Sequence, residues 1–167
     1  DAATGPEEVK NRLKCEALVR RAYFHYLLVN KFAKAYNTAT AATDPGIPYL
    51  KEDWDIMVPT RKETVETVYN YILEDLNKAI EINALPDEAI NRMRISKPCA
   101  YAAKALALIS MQRFDEAEQA AQDALAINDV VDDYNSMITT VIGNLIGGRY
   151  EAILRPRLQC KEDLFYT

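Results

Sequence analysis

The residues best suited to binding chemistry lie in one short segment, PYLKEDWD, at residues 48–55. Its two aromatic residues are separated by charged ones, and two aspartates flank the tryptophan. An aromatic face can hold the C–H side of a sugar ring, while carboxylates accept hydrogen bonds from the sugar hydroxyls. The candidate glycan-binding residues are therefore Tyr49, Trp54, Asp53 and Asp55.

The same segment also fits plainer roles. A tryptophan in a loop more often packs the loop against its neighbours than it binds a ligand, so Trp54 is open to that interpretation. The acidic residues Glu52, Asp53 and Asp55 resemble a glycosidase pair only if a scaffold fixes two of them across a cleft. Solvated loop charges explain them better, and the sequence predicts no catalytic residue.

His25 and Lys97 receive structural interpretations. His25, the only histidine, lies on an apolar stripe between Ala22 and Val29, and the sequence places no serine, cysteine or carboxylate beside it. We therefore expect a packed or hydrogen-bonded histidine rather than a base or ligand. Lys97 lies in a segment without a glycine-rich phosphate loop, so we expect a surface residue.

The cysteines do not form a recognisable site. Cys15, Cys99 and Cys160 are far apart and include no C-x-x-C pair, which argues against a disulfide framework and against zinc. We expect them to behave as small buried hydrophobic residues, and we predict neither a metal nor a cofactor.

Composition excludes several other classes of function. The 167 residues include 20 basic and 25 acidic side chains, giving a net charge of −5 without long runs of either sign. This balance disfavours nucleic acid and anionic lipid as partners. No apolar stretch approaches the roughly 20 residues of a membrane span. The sequence does not open on a basic-then-apolar leader, so we expect any targeting segment to be missing from it and do not expect Asp1 to be the native start.

The first half of the chain predicts two helices joined by a long loop. Residues 6–36 carry two apolar stripes at helical spacing, and Pro6 with Glu7 and Glu8 suits a helix start. The first stripe is Leu18, Ala22, His25, Val29, Phe32 and Tyr36, and the second is Val9, Leu13, Ala17, Phe24 and Leu28. A helix that is apolar nearly all round is expected in the middle of a structure.

The loop is predicted over residues 37–59, a length that usually indicates function or docking. The next helix is expected to begin at Thr60, with Glu63 completing a capping box. One face of this helix collects its apolar residues: Val65, Val68, Tyr69, Ile72, Leu76, Ala79 and Ile80.

An alanine-rich helix hairpin is predicted over residues 96–128, with Ser96 as N-cap and Pro98 in the first turn. Small side chains let two helices approach closely. The apolar spacing matches the packing positions of a tetratricopeptide repeat, namely Tyr101, Ala105, Leu108, Phe114, Ala117, Ala121 and Ala124. Gln112 replaces the usual turn glycine. A third, partial pair is expected around MITTVIGNLI and YEAIL.

Four blocks in this order resemble the SusD/RagB family of surface glycan-binding lipoproteins of Bacteroidetes. They are the aromatic helix RAYFHYLLV, the turn GIPY, the helix entry RKETVETVYNYILEDL, and RISK before the alanine-rich hairpin. The resemblance covers roughly residues 8–128 and implies an all-α fold of tetratricopeptide-like stacked helix hairpins. We expect residues 1–167 to form one helical domain, as a piece of a longer protein. Cys15 lies inside a predicted helix and is not expected to be the family's lipid anchor.

The resemblance also implies a function. Family members bind an oligosaccharide or polysaccharide without turning it over, and they dock on a SusC-like, TonB-dependent transporter in the outer membrane. Because the family's repeat region mainly faces the transporter, we expect this chain to carry a docking surface more than a sugar site. We also expect self-association through uncovered helix faces.

Two alternatives remain open at the level of sequence. A free-standing repeat adaptor would bind a peptide in an asparagine- and lysine-rich concave face, whereas alanines dominate here. A helical-barrel carbohydrate enzyme would need two carboxylates held across a cleft.

Overall fold

The structure is a computed structural model, and it describes residues 4–51, 55, 57–89, 91 and 93–131. These residues form four α-helices: α1, Glu7–Phe32; α2, Val65–Ile82; α3, Lys97–Ser110; and α4, Phe114–Leu125. Within these ranges there is no strand, and the only β-type contact is an isolated bridge between Pro45 and Thr64. The all-α prediction is confirmed.

The helices form two stacked pairs. α1 packs mainly on α2, α3 packs mainly on α4, and α2 joins the two pairs by packing on α3. α1 touches α3 only slightly. The expectation that the aromatic α1 is the middle of the structure is therefore wrong. α2 occupies that place, because it packs on both α1 and α3 and its buried residues form one broad face that serves both neighbours.

Only one of the two apolar stripes of α1 is buried. Leu18, Ala22, His25 and Val29 lie in the core, whereas the second stripe, Val9, Leu13, Ala17, Phe24 and Leu28, is exposed. A single helix can face α2 with only one side, and the stripes lie on opposite sides of α1. Phe32, placed in the first stripe, is also 67% exposed.

α1 begins where predicted and ends earlier. Pro6 is its N-cap, with Glu7 and Glu8 in the first turn. The helix stops at Phe32 instead of about Tyr36 because Ala33 adopts an extended conformation. The turn to extended chain brings Tyr36 edge-on against the ring of Tyr69, with ring centroids 5.2 Å apart.

The N-cap of α2 is Thr64, and the prediction of Thr60 is wrong. The Thr64 hydroxyl accepts a hydrogen bond from the Thr67 N–H, at 3.2 Å. The preceding residue, Glu63, is engaged elsewhere: its carbonyl accepts from the Gly46 N–H and its own N–H donates to the Ile47 carbonyl. A β-carbon at Gly46 would lie 2.9 Å from the Glu63 oxygen, so only glycine permits this approach.

The alanine-rich hairpin is confirmed. A three-residue turn, 111–113, joins α3 to α4, and Gln112 has φ 61°, the left-handed conformation that usually selects glycine. Ala117, Ala120 and Ala124 are the buried residues of α4. Phe114, predicted to pack, is 63% exposed because it stands at the very start of α4. Ser96 is the N-cap residue of α3, although its side chain makes no capping hydrogen bond.

The predicted third pair at MITTVIGNLI and YEAIL, and Cys160, lie outside the described residues.

Candidate functional site

The long connection between α1 and α2 is held in place at two of its described residues, Asp44 and Tyr49. Asp44 is the first attachment. Its carboxylate accepts from the Lys34 ammonium and the Thr40 hydroxyl, both at 2.6 Å, and its carbonyl accepts from the Val65 N–H. The hydrogen bonds from Lys34 and Thr40 hold the pKa of Asp44 below its usual value.

The second attachment is a buried carboxylate, Asp75, on α2. Arg21 of α1 donates to it through Nε at 2.6 Å and through Nη2 at 2.7 Å, a bidentate pair. The Tyr49 hydroxyl of the loop donates to the same carboxylate at 2.6 Å. One side chain of α2 thus joins α1 and the loop. Burial, and then the neighbouring Asp75, raise the pKa of Tyr49.

His25 lies beside this carboxylate and contacts the loop directly. Its ring stacks on the Tyr49 ring with centroids 4.0 Å apart. Its Nε2 accepts from the Leu50 N–H at 3.2 Å, and its Nδ1 is 2.8 Å from the Arg21 carbonyl oxygen. His25 is therefore the packed, hydrogen-bonded residue that the sequence predicts.

A rim of aromatic and charged side chains lies around Lys51 of the loop. The Lys51 ammonium lies 3.9 Å from the centroid of the Tyr71 ring and 3.9 Å from a carboxylate oxygen of Glu74. Tyr71 also lies next to Tyr49, with ring centroids 5.3 Å apart. The rim therefore combines an aromatic face with both signs of charge, groups that a sugar can contact.

The four candidate glycan-binding residues have different surroundings. Tyr49 is partly buried, with its ring between His25 and Tyr71 and its hydroxyl donated to Asp75. Asp55 is exposed, and its carboxylate accepts from the Met57 N–H at 2.9 Å. Trp54 and Asp53 lie outside the described residues. Glycan binding by these four residues stays a prediction.

Sequence reasoning missed the residues that fix the loop, Arg21 and Asp75. A usable signal was present, since Asp75 falls on the same helical face as the buried Ile72, Leu76 and Ala79. A carboxylate on a buried face needs a cationic or hydrogen-bonding partner. Nothing in the local sequence identifies that partner, because Arg21 lies 54 positions away.

A second buried carboxylate explains the RISK block. Glu16 of α1 accepts from Arg94 through Nη2 at 2.7 Å and Nε at 3.2 Å. The next residue, Ile95, is almost completely buried, and Lys97 pairs with Asp87 at 2.8 Å. The block therefore attaches the start of α3 to α1. Lys97 is half-buried rather than a plain surface residue.

The described cysteines are free thiols in apolar surroundings. Cys15 is buried, and its thiol donates to the Ala79 carbonyl at 3.5 Å. Burial raises the pKa of Cys15, and it raises the pKa of Cys99 to about 12. Among the residues that the structure describes, no group of three or more His, Cys, Asp or Glu side chains is arranged to hold a metal ion.

Fold and site together define a class: a helix-hairpin protein of the tetratricopeptide-like kind, with a long inter-helix loop attached to its first pair. Residues 2–108 match the SusD-like family, which is described as starch-binding and associating with the outer membrane. This match covers more than half of the chain, and the chain belongs to the SusD-like family.

Solved structures of this superfamily have the same fold. A SusD superfamily protein from Bacteroides thetaiotaomicron matches with TM-score 0.70 and 24% identity, over 79% of this chain and 28% of that protein. A SusD superfamily protein from Bacteroides vulgatus matches with TM-score 0.67 and 24% identity, over 80% of this chain and 30% of its own. A SusD-like carbohydrate-binding protein from the same species matches with TM-score 0.67 and 18% identity, over 82% of this chain and 29% of that protein.

The chain therefore spans less than a third of the length of these relatives. No curated protein matches the sequence significantly. Among the helices described here, none is both long and apolar enough to cross a membrane.

Proposed function

We propose that this chain is the helical repeat core of a non-enzymatic SusD-like component of an outer-membrane glycan-uptake system. In this role it contributes to glycan binding and docks on a SusC-like, TonB-dependent transporter at the cell surface. The single observation that carries the proposal is the family match over residues 2–108, because it covers α1, the attached loop, α2 and most of α3.

The geometry of the loop supports the glycan-binding part. Tyr49 and Leu50 are held on the helices by Asp75 and His25, so the following residues start from a fixed point. A sugar site needs aromatic and polar groups that are positioned before the ligand arrives. The rim formed by Lys51, Tyr71 and Glu74 adds such groups beside the loop.

Affinity electrophoresis tests glycan binding. The protein at its native length is run through gels that contain soluble starch, xylan or mucin glycans, and retardation without released product is expected on at least one of them. Trp54→Ala should lose the retardation. Met57→Ala, at an exposed apolar position of the same loop, is the matched control and should keep it. Equal retardation of both variants would move the sugar site away from this loop.

The arrangement of carboxylates supports binding rather than hydrolysis. The buried carboxylates Glu16, Asp44 and Asp75 each accept from a basic side chain. Each pair links parts of the fold, which is a structural use of the charge. Released sugar in a turnover assay on the retarded glycan would contradict this part of the proposal.

Exposed apolar surface supports the docking part. The exposed second stripe of α1, called the outer stripe from here on, lies on the side opposite the core. It includes Leu13 at 47% exposure and Phe24 at 46%. Contiguous exposed apolar residues mark interaction surfaces. A pull-down of the native-length protein from outer membranes should recover a TonB-dependent barrel, identified by mass spectrometry. Recovery of no such barrel would contradict docking.

The same surface supports self-association of the isolated 167-residue chain. Without a covering partner, the outer stripe of α1 can bury itself only against another copy. Light scattering should show a mass above that of the monomer that rises with concentration. A monomer at high concentration would count against this expectation.

A further inference from the structure

The hydrogen bond between α1 and the Leu50 amide of the loop depends on one ring nitrogen of His25. Nδ1 of the ring faces the carbonyl oxygen of Arg21, which can only accept a hydrogen bond. Nδ1 must therefore carry the proton, and Nε2 is then the bare nitrogen that accepts from the Leu50 N–H. This hydrogen bond from the Leu50 N–H exists only while the ring is neutral.

Protonation would reverse the role of Nε2. It would become a donor facing the Leu50 N–H, which is also a donor, so the hydrogen bond would be lost. No rotation of the ring restores it, because both nitrogens of the imidazolium are donors. Since the ring is also stacked on Tyr49, any displacement disturbs two consecutive loop residues, Tyr49 and Leu50.

Among the described residues, three ionisable groups face His25 from the elements around it: Arg21 from α1, Asp75 from α2 and Tyr49 from the loop. The Arg21 charge opposes protonation and the Asp75 charge favours it. Burial has the largest influence and disfavours the imidazolium, so the pKa of His25 lies below its ordinary value of 6.5. The neutral ring is thus the form present at neutral pH.

We propose that His25 is the positioning residue that fastens the Leu50 amide of the loop to α1, and that its protonation releases this amide while Tyr49 stays attached to Asp75.

The chain offers its own reporters for a test without sugar. It contains one histidine and one tryptophan, so a ring proton of His25 and the fluorescence of Trp54 are each observed without interference, provided that any histidine tag is removed. The Leu50 amide is a third reporter, because it donates to His25. All three are followed from about pH 8 to about pH 5, the range in which a histidine titrates.

The expected result is one shared transition. The NMR titration of His25 should have its midpoint below 6.5. Protection of the Leu50 amide from solvent exchange, corrected for the intrinsic rate, should be lost with the same midpoint. Acrylamide quenching of Trp54 should change in parallel. A protected Leu50 amide on the acidic side of the His25 titration would overturn the proposal, and this comparison needs no variant.

His25→Gln provides the matched control. Glutamine offers a carbonyl acceptor to the Leu50 N–H and does not titrate. In this variant, Leu50 protection and Trp54 quenching should stay constant over the same pH range. A transition that persists in the variant would assign it to another group, such as the loop carboxylates, and would overturn the role of His25. Because no glycan is present, failure here is distinct from failure of glycan binding.

The stability of the fold should also depend on the protonation of His25. Native His25 binds its proton less readily than the unfolded chain does, so the unfolded state holds more protons below pH 6.5. The contribution of His25 to the free energy of unfolding should therefore be constant above pH 6.5. It should fall as the pH drops from 6.5 toward the lower native pKa. His25→Gln should remove that part of the pH dependence, as measured by urea unfolding. An unchanged dependence would contradict the proposal.

Discussion

The two helix pairs of this protein are held together in different ways. α1 and α2 are joined across the long loop by buried charged groups, with Arg21 and the loop residue Tyr49 both donating to Asp75. α3 and α4 are joined by a short turn and by alanines. Polar side-chain pairs of α4 and its N-cap residue are local and exposed, such as Arg113 with Glu116 and Gln119 with Asp123.

This difference shows two solutions to one packing problem. Alanines bring two helices together through close backbone approach, which needs no directional contact. A pair separated by a loop of some thirty residues closes at a larger entropic cost, which additional contacts between loop and helices must offset. The charged groups of the first pair provide those contacts, and they also fix where the loop leaves the helices.

The largest effect is expected from removing the shared carboxylate of the first pair. Asp75→Ala takes away the acceptor of the buried Tyr49 hydroxyl and the ion-pair partner of Arg21, and loss of one partner of a buried pair costs about 3–5 kcal/mol. Urea unfolding measures this loss. The control is Glu74→Ala, an exposed carboxylate one position away, which should have little effect. Equal midpoints for the two variants would mean that buried charge does not hold the first pair.

The next largest effect is expected from enlarging an alanine of the second pair. Ala120 is 3% exposed on α4, and of the four described helices α4 packs only on α3. Ala120→Leu should force the pair apart and cost about 1–3 kcal/mol in urea unfolding. Ala126→Leu, the same change at an exposed position, should be nearly neutral. A neutral Ala120→Leu would show that close approach is not required.

A smaller effect is expected at the junction of loop and α2. Thr64→Ala removes the hydroxyl that caps the Thr67 N–H and should cost about 1 kcal/mol. Thr60→Ala, at the exposed threonine that the sequence alone suggests as the cap, should leave the urea midpoint unchanged. The reverse order of the two effects would place the start of α2 at Thr60.

The smallest effect is expected for the exposed ion pair of the second hairpin. Arg113→Ala breaks the ion pair with Glu116. Both side chains are well exposed, so solvent screens the attraction between them. We expect no measurable shift of the urea midpoint. A clear loss of stability would remove the contrast between the two pairs.

The candidate site shows where prediction from sequence stops. Tyr49 is identifiable as an aromatic residue in a long loop, but its attachment to Asp75 is not, because the two are 26 positions apart. His25 is predictable as a structural histidine from its apolar stripe. Its hydrogen bond to Leu50 depends on where the loop crosses α1, and nothing in the local pattern contains that information.

What the sequence by itself determined is the set of helices, the alanine-rich hairpin with Gln112 at its turn, and the family. The helices and the hairpin depend on side chains three or four residues apart, whose arrangement follows from helix geometry alone. The family follows from sequence blocks in a characteristic order. Only the tertiary structure decided which apolar side of α1 is buried, which residue caps α2, and which basic side chain meets Asp75 and Glu16. Each of those outcomes depends on contacts between residues distant in sequence, and such contacts form only when the whole chain is packed.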